Sequence, residues 1–350
     1  MFRSTGKSGN YAYTSARVKA KKSKLLREED YNKMLMMSVP EISHYISDAG
    51  YSREMTDLAT RHSGLDLLEY ATYANMAKAF RSILLASTGE LRDMVQLYLT
   101  KWDFWNLKVV LRGKSYGLPT ESIREDLVPA GKLQEEDLER LLAANDVEDV
   151  LTVFTAVSHV RFPPEIAGSY KLSHTLGTIE DYLVKDYYKG LLDYLSANSR
   201  PVIIFRNYIR SEIDALNIET VLKLKSEGVV GEIGMNYYVP GGKEIDDKIM
   251  GQMLAAPDMK AMESTVSQLV MYNDIKAALP ANPTMPAVVA AMKQYKLGLV
   301  NSVAHMYPLS VIPVFDYMIH KEIEVGKIRM IARGTESGLD RETMKELLVI

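Results

Sequence analysis

The chain contains no cysteine, and this absence excludes disulfide bonds and thiol catalysis. A secreted disulfide scaffold is therefore not expected, and a reducing, cytoplasm-like compartment is the default. An excess of one charge is also missing, since 42 basic and 45 acidic side chains leave a net charge of -3. A chain with this balance is not expected to bind nucleic acid through its overall charge.

We also expect no membrane-spanning segment, although one uncharged stretch is about as long as a membrane span. Residues 297–315 carry no Asp, Glu, Lys or Arg over 19 positions, but they include Pro308 and Pro313. Two prolines inside a span would leave backbone groups without hydrogen-bond partners in lipid. We therefore predict a buried core helix followed by a loop. The polar opening residues, MFRSTGKSGN, also lack the apolar region of a signal peptide.

Recognisable catalytic and metal-binding motifs are missing too. The sequence has no HExxH or GxSxG motif, and no two of its six histidines stand four positions apart. TGKSG (5–9) resembles the end of a phosphate-binding loop, but Met1 occupies the position where that motif needs its first glycine. We therefore expect no catalytic residue, no metal site and no cofactor.

Helical periodicity dominates what is present. Segments such as residues 68–86 and 179–197 place apolar side chains three and four positions apart, whereas strand-like alternation is scarce. Loops are marked by proline and glycine clusters such as RFPPEIAGS and YYVPGGK. The sequence therefore predicts an all-α fold.

A ten-residue element recurs four times, as LREEDYNKML (26–35), LQEEDLERLL (133–142), IDDKIMGQML (245–254) and LDRETMKELL (339–348). Each copy has two apolar residues five positions apart, the spacing of a hydrophobic staple at a helix start. Acids crowd the first turn, where they complement the positive end of the helix dipole. Glycine precedes the three later copies as Gly131, Gly242 and Gly338. Each copy predicts the start of a short helix.

A second element recurs between these copies, in residues 101–113, 212–224 and 322–334. The aligned positions are an acid (Asp103, Asp214, Glu324), a residue three positions later (Asn106, Asn217, Lys327) and a base nine positions after the acid (Arg112, Lys223, Arg333). The offsets between copies are 111 and 110, and Glu69 aligns with Glu180 at the same offset of 111. Because these positions recur in every copy, we expect structural roles for them. The acid would pair with the base nine positions on or with a neighbouring helix.

The recurrence predicts three tandem helical-bundle repeats. We place a basic N-terminal arm at residues 1–25 and the repeats at residues 26–142, 143–254 and 255–350. The chain ends on the element with which it began, so the four copies would flank three units. A linear solenoid would instead have atypical ends. A funnel or dish with pseudo-threefold symmetry therefore fits the pattern better.

The N-terminal arm is strongly basic. Residues 1–27 contain eight bases and no acid precedes Glu28. The bases that we single out as facing a partner or a membrane are Arg17, Lys19, Lys21, Lys22 and Lys24. A solvated helix face with a mobile tail is one interpretation, and contact with an acidic partner or an anionic lipid surface is the other.

Three motifs resemble a known family. YAYTSARVKAKKSKLL (11–26), FRNYIRSEIDALNIETVLKLK (205–225) and YMIHKEIEVGKIRMIARGTESGL (317–339) are similar to motifs of the C subunit of archaeal A-type and bacterial V-type ATP synthases, the counterpart of the d subunit of the eukaryotic vacuolar ATPase. The resemblance extends from about residue 11 to the end of the chain. One departure is Lys327, where the family often has Asn.

The resemblance implies an all-helical funnel of three similar bundles that acts as a non-catalytic rotor adapter. It implies a single copy on the cytoplasmic face of the membrane, between the central stalk subunits (D and F type) and the membrane proteolipid ring, with the stator subunit as a further partner. The isolated chain is expected to be a monomer. The alternatives are a helical-repeat scaffold or assembly factor outside the ATP synthase, and an enzyme with an unrecognised site between repeats. Whether the coupled ion is proton or sodium does not follow from these residues.

Overall fold

The computed structural model describes residues 9–158, 160–196, 199–229, 231–277 and 285–348, and within these ranges the chain forms helices and no strand. The helices are α1 (Tyr11–Lys22), α2 (Glu28–Met34), α3 (Val39–Ile46), α4 (Ser52–Leu58), α5 (Gly64–Ala86), α6 (Gly89–Ser115), α7 (Thr120–Glu125), α8 (Glu135–Leu142), α9 (Val147–Ser158), α10 (Pro164–Ala167), α11 (Ser169–Ser173), α12 (Gly177–Tyr194), α13 (Arg200–Ser226), α14 (Glu232–Met235), α15 (Asp247–Ala255), α16 (Met259–Val266), α17 (Tyr272–Ala277), α18 (Met285–Met306), α19 (Ile312–Glu336) and α20 (Arg341–Leu348). A π-helical turn, Ser47–Tyr51, joins α3 to α4. The all-α prediction is confirmed.

The chain divides into two compact units. The terminal unit contains Ser4–Leu183 and Tyr317–Met344, and the middle unit contains Val184–Asp316 and Lys345–Val349. Residues from both ends of the sequence therefore fold together in the terminal unit. The three-repeat boundaries that the sequence suggested stay a prediction.

The terminal unit is organised around two long helices, α5 and α6. Helices α3 and α4 pack on α5, while α7, α8 and α9 pack on α6. Apolar side chains that recur on one side of α6, such as Leu107, Val110 and Leu111, are fully buried. Their burial supplies the main driving force for this packing.

The middle unit is organised around the long helix α13, which packs against α15 and α18. Its core is rich in methionine, with Met250, Met253 and Met292 among the fully buried residues. Unbranched methionine side chains fill irregular spaces between helices that cross at different angles. The many methionines of this part of the sequence therefore serve packing.

The three long helices α6, α13 and α19 end in the same way. Each is followed by a left-handed glycine, with φ of 67° at Gly117, 72° at Gly228 and 70° at Gly338. The next backbone N–H returns to a carbonyl of the last turn, over 2.9 Å at Leu118, 2.8 Å at Val229 and 2.8 Å at Leu339. This geometry satisfies carbonyl groups at the helix end, and glycine adopts the positive φ without a steric penalty.

The uncharged stretch 297–315 is a helix end, a loop and a helix start. Helix α18 ends at Met306 and α19 begins at Ile312, so the predicted order of a helix and then a loop is confirmed. The prediction that this helix is a buried core helix is wrong, because Val300 is the one buried residue of 297–306 and Met306 is 60% exposed. Leu309 in the loop is 66% exposed. Among the residues that the structure describes, no helix combines the length and the apolar character that a membrane crossing requires.

All four copies of the ten-residue element begin a short helix, as predicted. Helices α2, α8, α15 and α20 start two residues after the first apolar residue of each copy. The second apolar residue of each pair is buried, namely Tyr31, Leu138, Met250 and Met344. In α15 and α20 the first acid caps the helix by accepting a backbone N–H, Ile249 to Asp246 at 2.9 Å and Thr343 to Asp340 at 3.0 Å.

The fourth copy nevertheless has a different place in the fold. It follows α19 directly, and a Cβ at Gly334 would overlap Met344 of α20, just as a Cβ at Gly113 of α6 would overlap Ile123 of α7. Helix α20 is therefore the counterpart of α7 and not of α8. The fourth copy therefore packs differently from the second, because a staple specifies only a helix start and not where that helix packs.

Candidate functional site: three carboxylate clasps

The first recurring acid fastens a loop to its long helix. Asp103 of α6 is buried, and its carboxylate accepts the backbone N–H groups of Lys132 and Leu133, both at 2.9 Å. Leu133 is the first staple residue of α8. We call such a carboxylate, together with the loop that it holds, a clasp. Gly131 permits the close approach, because a Cβ there would overlap the Asp103 carboxylate.

The aligned Asn106 holds the other end of the same loop. Its side-chain amide donates to the carbonyl of Val128 over 2.8 Å and accepts the Val128 N–H over 2.8 Å. Both backbone groups are buried and would otherwise lack partners. Aspartate and asparagine, three positions apart on one helix face, therefore pin VPAGK (128–132) at both ends.

The second clasp, in the middle unit, repeats this arrangement. Asp214 of α13 accepts the N–H groups of Lys243, Glu244 and Ile245 at 2.9, 2.9 and 3.0 Å. Asn217 donates to the Val239 carbonyl at 2.9 Å and accepts its N–H at 3.0 Å. A Cβ at Gly242 would again overlap the carboxylate.

The third acid holds a loop from the other end of the chain. Glu324 of α19 accepts the N–H of Leu26, the first staple residue of α2, at 2.6 Å. It also accepts the Tyr51 hydroxyl at 2.6 Å and the Lys321 ammonium at 2.8 Å. The first copy of the ten-residue element thus serves the last long helix. Sequence reasoning missed Tyr51 and Lys321, and only the position of Lys321 on the same helix face as Glu324 could have suggested it.

The carboxylates are buried among apolar groups. Burial raises the pKa of Asp103 to about 6, although its backbone N–H donors act in the opposite direction. Burial likewise raises the pKa of Asp214, again against its three backbone donors. Burial lowers the pKa of the Lys321 ammonium, an effect that the neighbouring Glu324 opposes. Because backbone N–H groups occupy the carboxylates of Asp103 and Asp214, these two groups fix loops to their helices.

The recurring bases do not pair with the acids nine positions before them. Arg112 instead forms a bidentate pair with Glu180, with N–O distances of 2.7 and 2.6 Å. Arg333 pairs with Glu69, and its Nη2 lies 2.7 Å from Oε2. The expected Asp–Arg pairing is therefore wrong.

The two glutamates are the residues that align with each other upstream of the long helices. Arg329 also reaches Glu69, at 2.8 Å, and lies over the Tyr73 ring. The structure thus gives Arg112 and Arg333 equivalent partners. The third base, Lys223, is exposed on α13.

Lys327, which aligns with Asn106 and Asn217, makes a different contact from theirs. Lys327 lies over the Tyr31 ring, with its ammonium 5.1 Å from the ring centre. It does not form the two-way amide contact that Asn106 and Asn217 make. The exchange of Asn for Lys therefore changes the contacts of the third clasp, an effect that the sequence alone did not indicate.

The basic N-terminal arm is partly described. Arg17, Lys19 and Lys24 are exposed at and just after helix α1, whereas Lys21 and Lys22 are half-buried. Burial, followed by the charges of Arg17, Lys321 and Lys24, lowers the pKa of Lys21. Residues 1–8, with two more bases of the arm and most of TGKSG, lie outside the described residues. Of the five bases singled out in the arm, three are therefore exposed.

A groove of the terminal unit is lined by several ionisable side chains. It has a volume of about 490 Å³ and is lined by residues of α5, α7 and α8. His62 and Glu125 lie 3.6 Å apart in it, which exceeds hydrogen-bonding distance. Over the described ranges, no three His, Asp or Glu side chains converge on a point where they could share a metal ion.

Comparison with known proteins places the chain in a family of ATP synthase subunits. Residues 14–347 match the model of the ATP synthase (C/AC39) subunit family. The chain is 31% identical to the C subunit of the A-type ATP synthase of Methanococcoides burtonii, over 99% of this chain and 96% of that one. It is 32% identical to the corresponding C subunit of Archaeoglobus fulgidus, covering 99% and 98% of the two chains, and 32% identical to that of Haloferax volcanii, covering 99% of each. With a match across nearly its whole length, the chain belongs to the ATP synthase (C/AC39) subunit family.

Proposed function

We propose that this chain is the rotor adapter of an A-type ATP synthase. It links the central stalk to the membrane proteolipid ring and transmits torque between ion translocation and ATP synthesis or hydrolysis, without catalysing a reaction itself. The observation that carries the proposal is the family match over residues 14–347. The clasps support it, because they use buried carboxylates to fix loops and not to handle a substrate.

Stiffness is the physical property that such an adapter needs. Helices α6 and α13 have 27 residues each and α19 has 25. At about 1.5 Å per residue each is roughly 40 Å long. The clasps attach the starts of short helices to these long helices through hydrogen bonds to charged groups, which are stronger than neutral ones. A torque applied to a clasped loop is therefore transmitted to the long helix with little local deformation.

The partners proposed are the central stalk subunits of D and F type, the proteolipid ring and, as a further contact, the membrane stator subunit. We place a single copy at the cytoplasmic face of the membrane, with the arm toward the ring or its lipids. Arg17, Lys19 and Lys24 are exposed there and suit an anionic surface. Deleting residues 2–10 removes Arg3 and Lys7 from the stretch of eight bases that no acid interrupts, and it should weaken ring attachment at low salt.

Affinity capture of the tagged full-length chain from its native membranes tests this function. We expect central stalk subunits and proteolipid to be recovered together. Recovery of neither, in a preparation whose ATP synthase is intact, would refute the proposal and favour a scaffold outside the complex.

A charge-reversal variant then tests the arm separately. Glutamate at Arg17, Lys19 and Lys24 should reduce recovery of the ring at low salt but leave stalk recovery unchanged. The control places glutamate at Arg140, Lys189 and Lys248, which are exposed elsewhere on the chain. Equal loss in both variants would show a general charge effect and contradict the placement of the arm.

A further inference from the structure

The three clasps differ in the number of backbone hydrogen bonds that hold the loop. Asp103 and Asn106 make two each, and Asp214 and Asn217 make three and two. Within the described residues, Glu324 accepts one backbone N–H, that of Leu26. The clasp that joins the two ends of the sequence therefore has the fewest bonds to its loop.

The cause lies in what precedes each loop. An extended VPAGK or VPGGK segment leads to Leu133 and Ile245, and its valine N–H and carbonyl meet an asparagine. Helix α1 leads to Leu26 instead. Its last turn already bonds internally, from Ser23 N–H to the Lys19 carbonyl and from Leu25 N–H to the Lys22 carbonyl. An asparagine at position 327 would find no comparable pair of backbone groups, which accounts for the lysine there.

The acid itself is adapted to the same difference. In the first two clasps a glycine lets the short aspartate come close, since a Cβ would overlap the carboxylate. The glycine stands two positions before Leu133 and three before Ile245, whereas the residues two and three positions before Leu26 are Lys24 and Ser23, which have side chains. Glutamate is one methylene longer than aspartate and reaches the Leu26 N–H without a glycine in the loop. Aspartate with a glycine and glutamate without one are thus two solutions of one contact.

Side chains replace the missing backbone bonds at the third clasp. Lys321 donates to Tyr51 at 2.8 Å and to Glu324 at 2.8 Å, and all three residues are buried. This network joins α19 to the π-helical turn, but the loop of Leu26 is still bound to Glu324 by one backbone hydrogen bond. The second staple residues, Tyr31, Leu138 and Met250, are each nearly inaccessible to solvent. The first staple residues differ, because Leu133 and Ile245 are buried whereas Leu26 is only half-buried. The third clasp therefore has the weakest apolar contact as well as the fewest backbone hydrogen bonds.

We propose that the contact of Leu26 with Glu324 is a terminal latch, the clasp that opens first. Its opening releases residues 25–35, which include α2, from α19 while the Asp103 clasp of the same unit stays closed. Helix α1 stays in place, because it packs on α5, and Asn10 and Tyr11 hydrogen-bond to Ala86, Thr88 and Glu90. The proposal concerns the chain alone and goes beyond its role as an adapter.

Amide hydrogen exchange of the full-length chain, read by mass spectrometry on peptic peptides, tests the latch without any substitution. Peptides over residues 25–35 should exchange at least about tenfold faster than those over 132–142, since each backbone hydrogen bond contributes about 0.5–1.5 kcal/mol and tenfold corresponds to about 1.4 kcal/mol. Equal or slower exchange of residues 25–35 would overturn the proposal.

Two matched substitutions locate the cause. Glu324→Gln removes the charge that Lys321 and Tyr51 share, and it should speed exchange in residues 25–35 while leaving 127–142 unchanged. Asp103→Asn in the same unit should speed exchange in residues 127–142 and leave residues 25–35 unchanged. Faster exchange in both regions for both variants would show that the clasps open together and would refute a separate latch. If Glu324→Gln does not fold, Glu324→Asp keeps the charge but shortens the reach to Leu26, and the same regional pattern is expected.

Discussion

Replacing Gly131 by alanine tests whether the close approach of loop and helix is what holds the first clasp. The backbone at Gly131 does not have a positive φ, so alanine is compatible with its conformation. Its Cβ, however, would overlap the carboxylate of Asp103, which lies between α6 and the loop. The carboxylate has to move away, and the N–H groups of Lys132 and Leu133 then lose their acceptor.

The expected cost follows from these contacts. Each hydrogen bond to a charged group contributes about 1.5–3 kcal/mol, and forcing an extra carbon into a packed site costs about 1–3 kcal/mol. The carboxylate can keep part of its bonding by shifting, so the effects do not sum fully. We expect Gly131→Ala to lower the free energy of unfolding of the terminal unit by about 2–4 kcal/mol.

Urea unfolding followed by tryptophan fluorescence measures this loss directly. Trp102 and Trp105, the only two tryptophans of the chain, flank Asp103 on α6 and therefore report on the terminal unit. Gly326→Ala is the matched control, because Gly326 lies exposed inside α19 with nothing within 4 Å of a new Cβ. That substitution should stabilise the unit by about 0.5–1 kcal/mol through helix propensity.

A result within about 0.5 kcal/mol of the unsubstituted chain, the range usual for neutral surface changes, would refute the reasoning about Gly131. The double variant with Asp103→Asn provides a second check. If alanine acts by displacing the carboxylate, its cost should shrink when the carboxylate is already gone.

Three further predictions concern the same contacts. Because burial raises the pKa of Asp103 to about 6, the folded state binds an extra proton between about pH 4 and 6. The contribution of Asp103 to the free energy of unfolding is therefore greatest at low pH and falls as the pH rises from about 4 to 6. The urea midpoint of the unsubstituted chain, relative to that of Asp103→Asn, should fall over this range and become constant at higher pH. Asn217→Ala should cost about 2–4 kcal/mol in thermal unfolding of the middle unit, because it leaves the buried N–H and carbonyl of Val239 without partners; a loss no larger than that of Lys223→Ala, an exposed control on the same helix, would contradict it. Arg112→Ala should cost less than about 1 kcal/mol, since its side chain is 58% exposed and solvent screens its pair with Glu180.

The sequence predicted the local structure well. The staple pairs and acidic first turns identified the starts of α2, α8, α15 and α20, because a helix start depends on residues within five positions of one another. The recurring acids, asparagines and bases were found by alignment alone, and their structural character follows from their recurrence. The motifs of α1, α13 and α19 also identified the family to which the comparison assigns the chain.

The partners of those residues could not be obtained in the same way. The Asp103 carboxylate bonds backbone groups 29 and 30 positions away, and Glu324 bonds one 298 positions away. Every residue other than proline has the same backbone N–H group. The amino-acid sequence therefore does not show whether Leu26 or Leu339, the first residue of the fourth copy, is the partner of Glu324. The prediction of a pairing nine positions along the same helix failed for this reason.

The sequence by itself thus determined that the chain is helical, where four short helices begin, and which side chains recur. Only the tertiary structure decided that α20 follows α19 as α7 follows α6, and that the N-terminal loop closes on the last long helix. The physical reason is that helix starts and glycine ends are settled by bonds within one or two turns. A clasp instead depends on which loop the packed helices bring within hydrogen-bonding distance of a buried carboxylate.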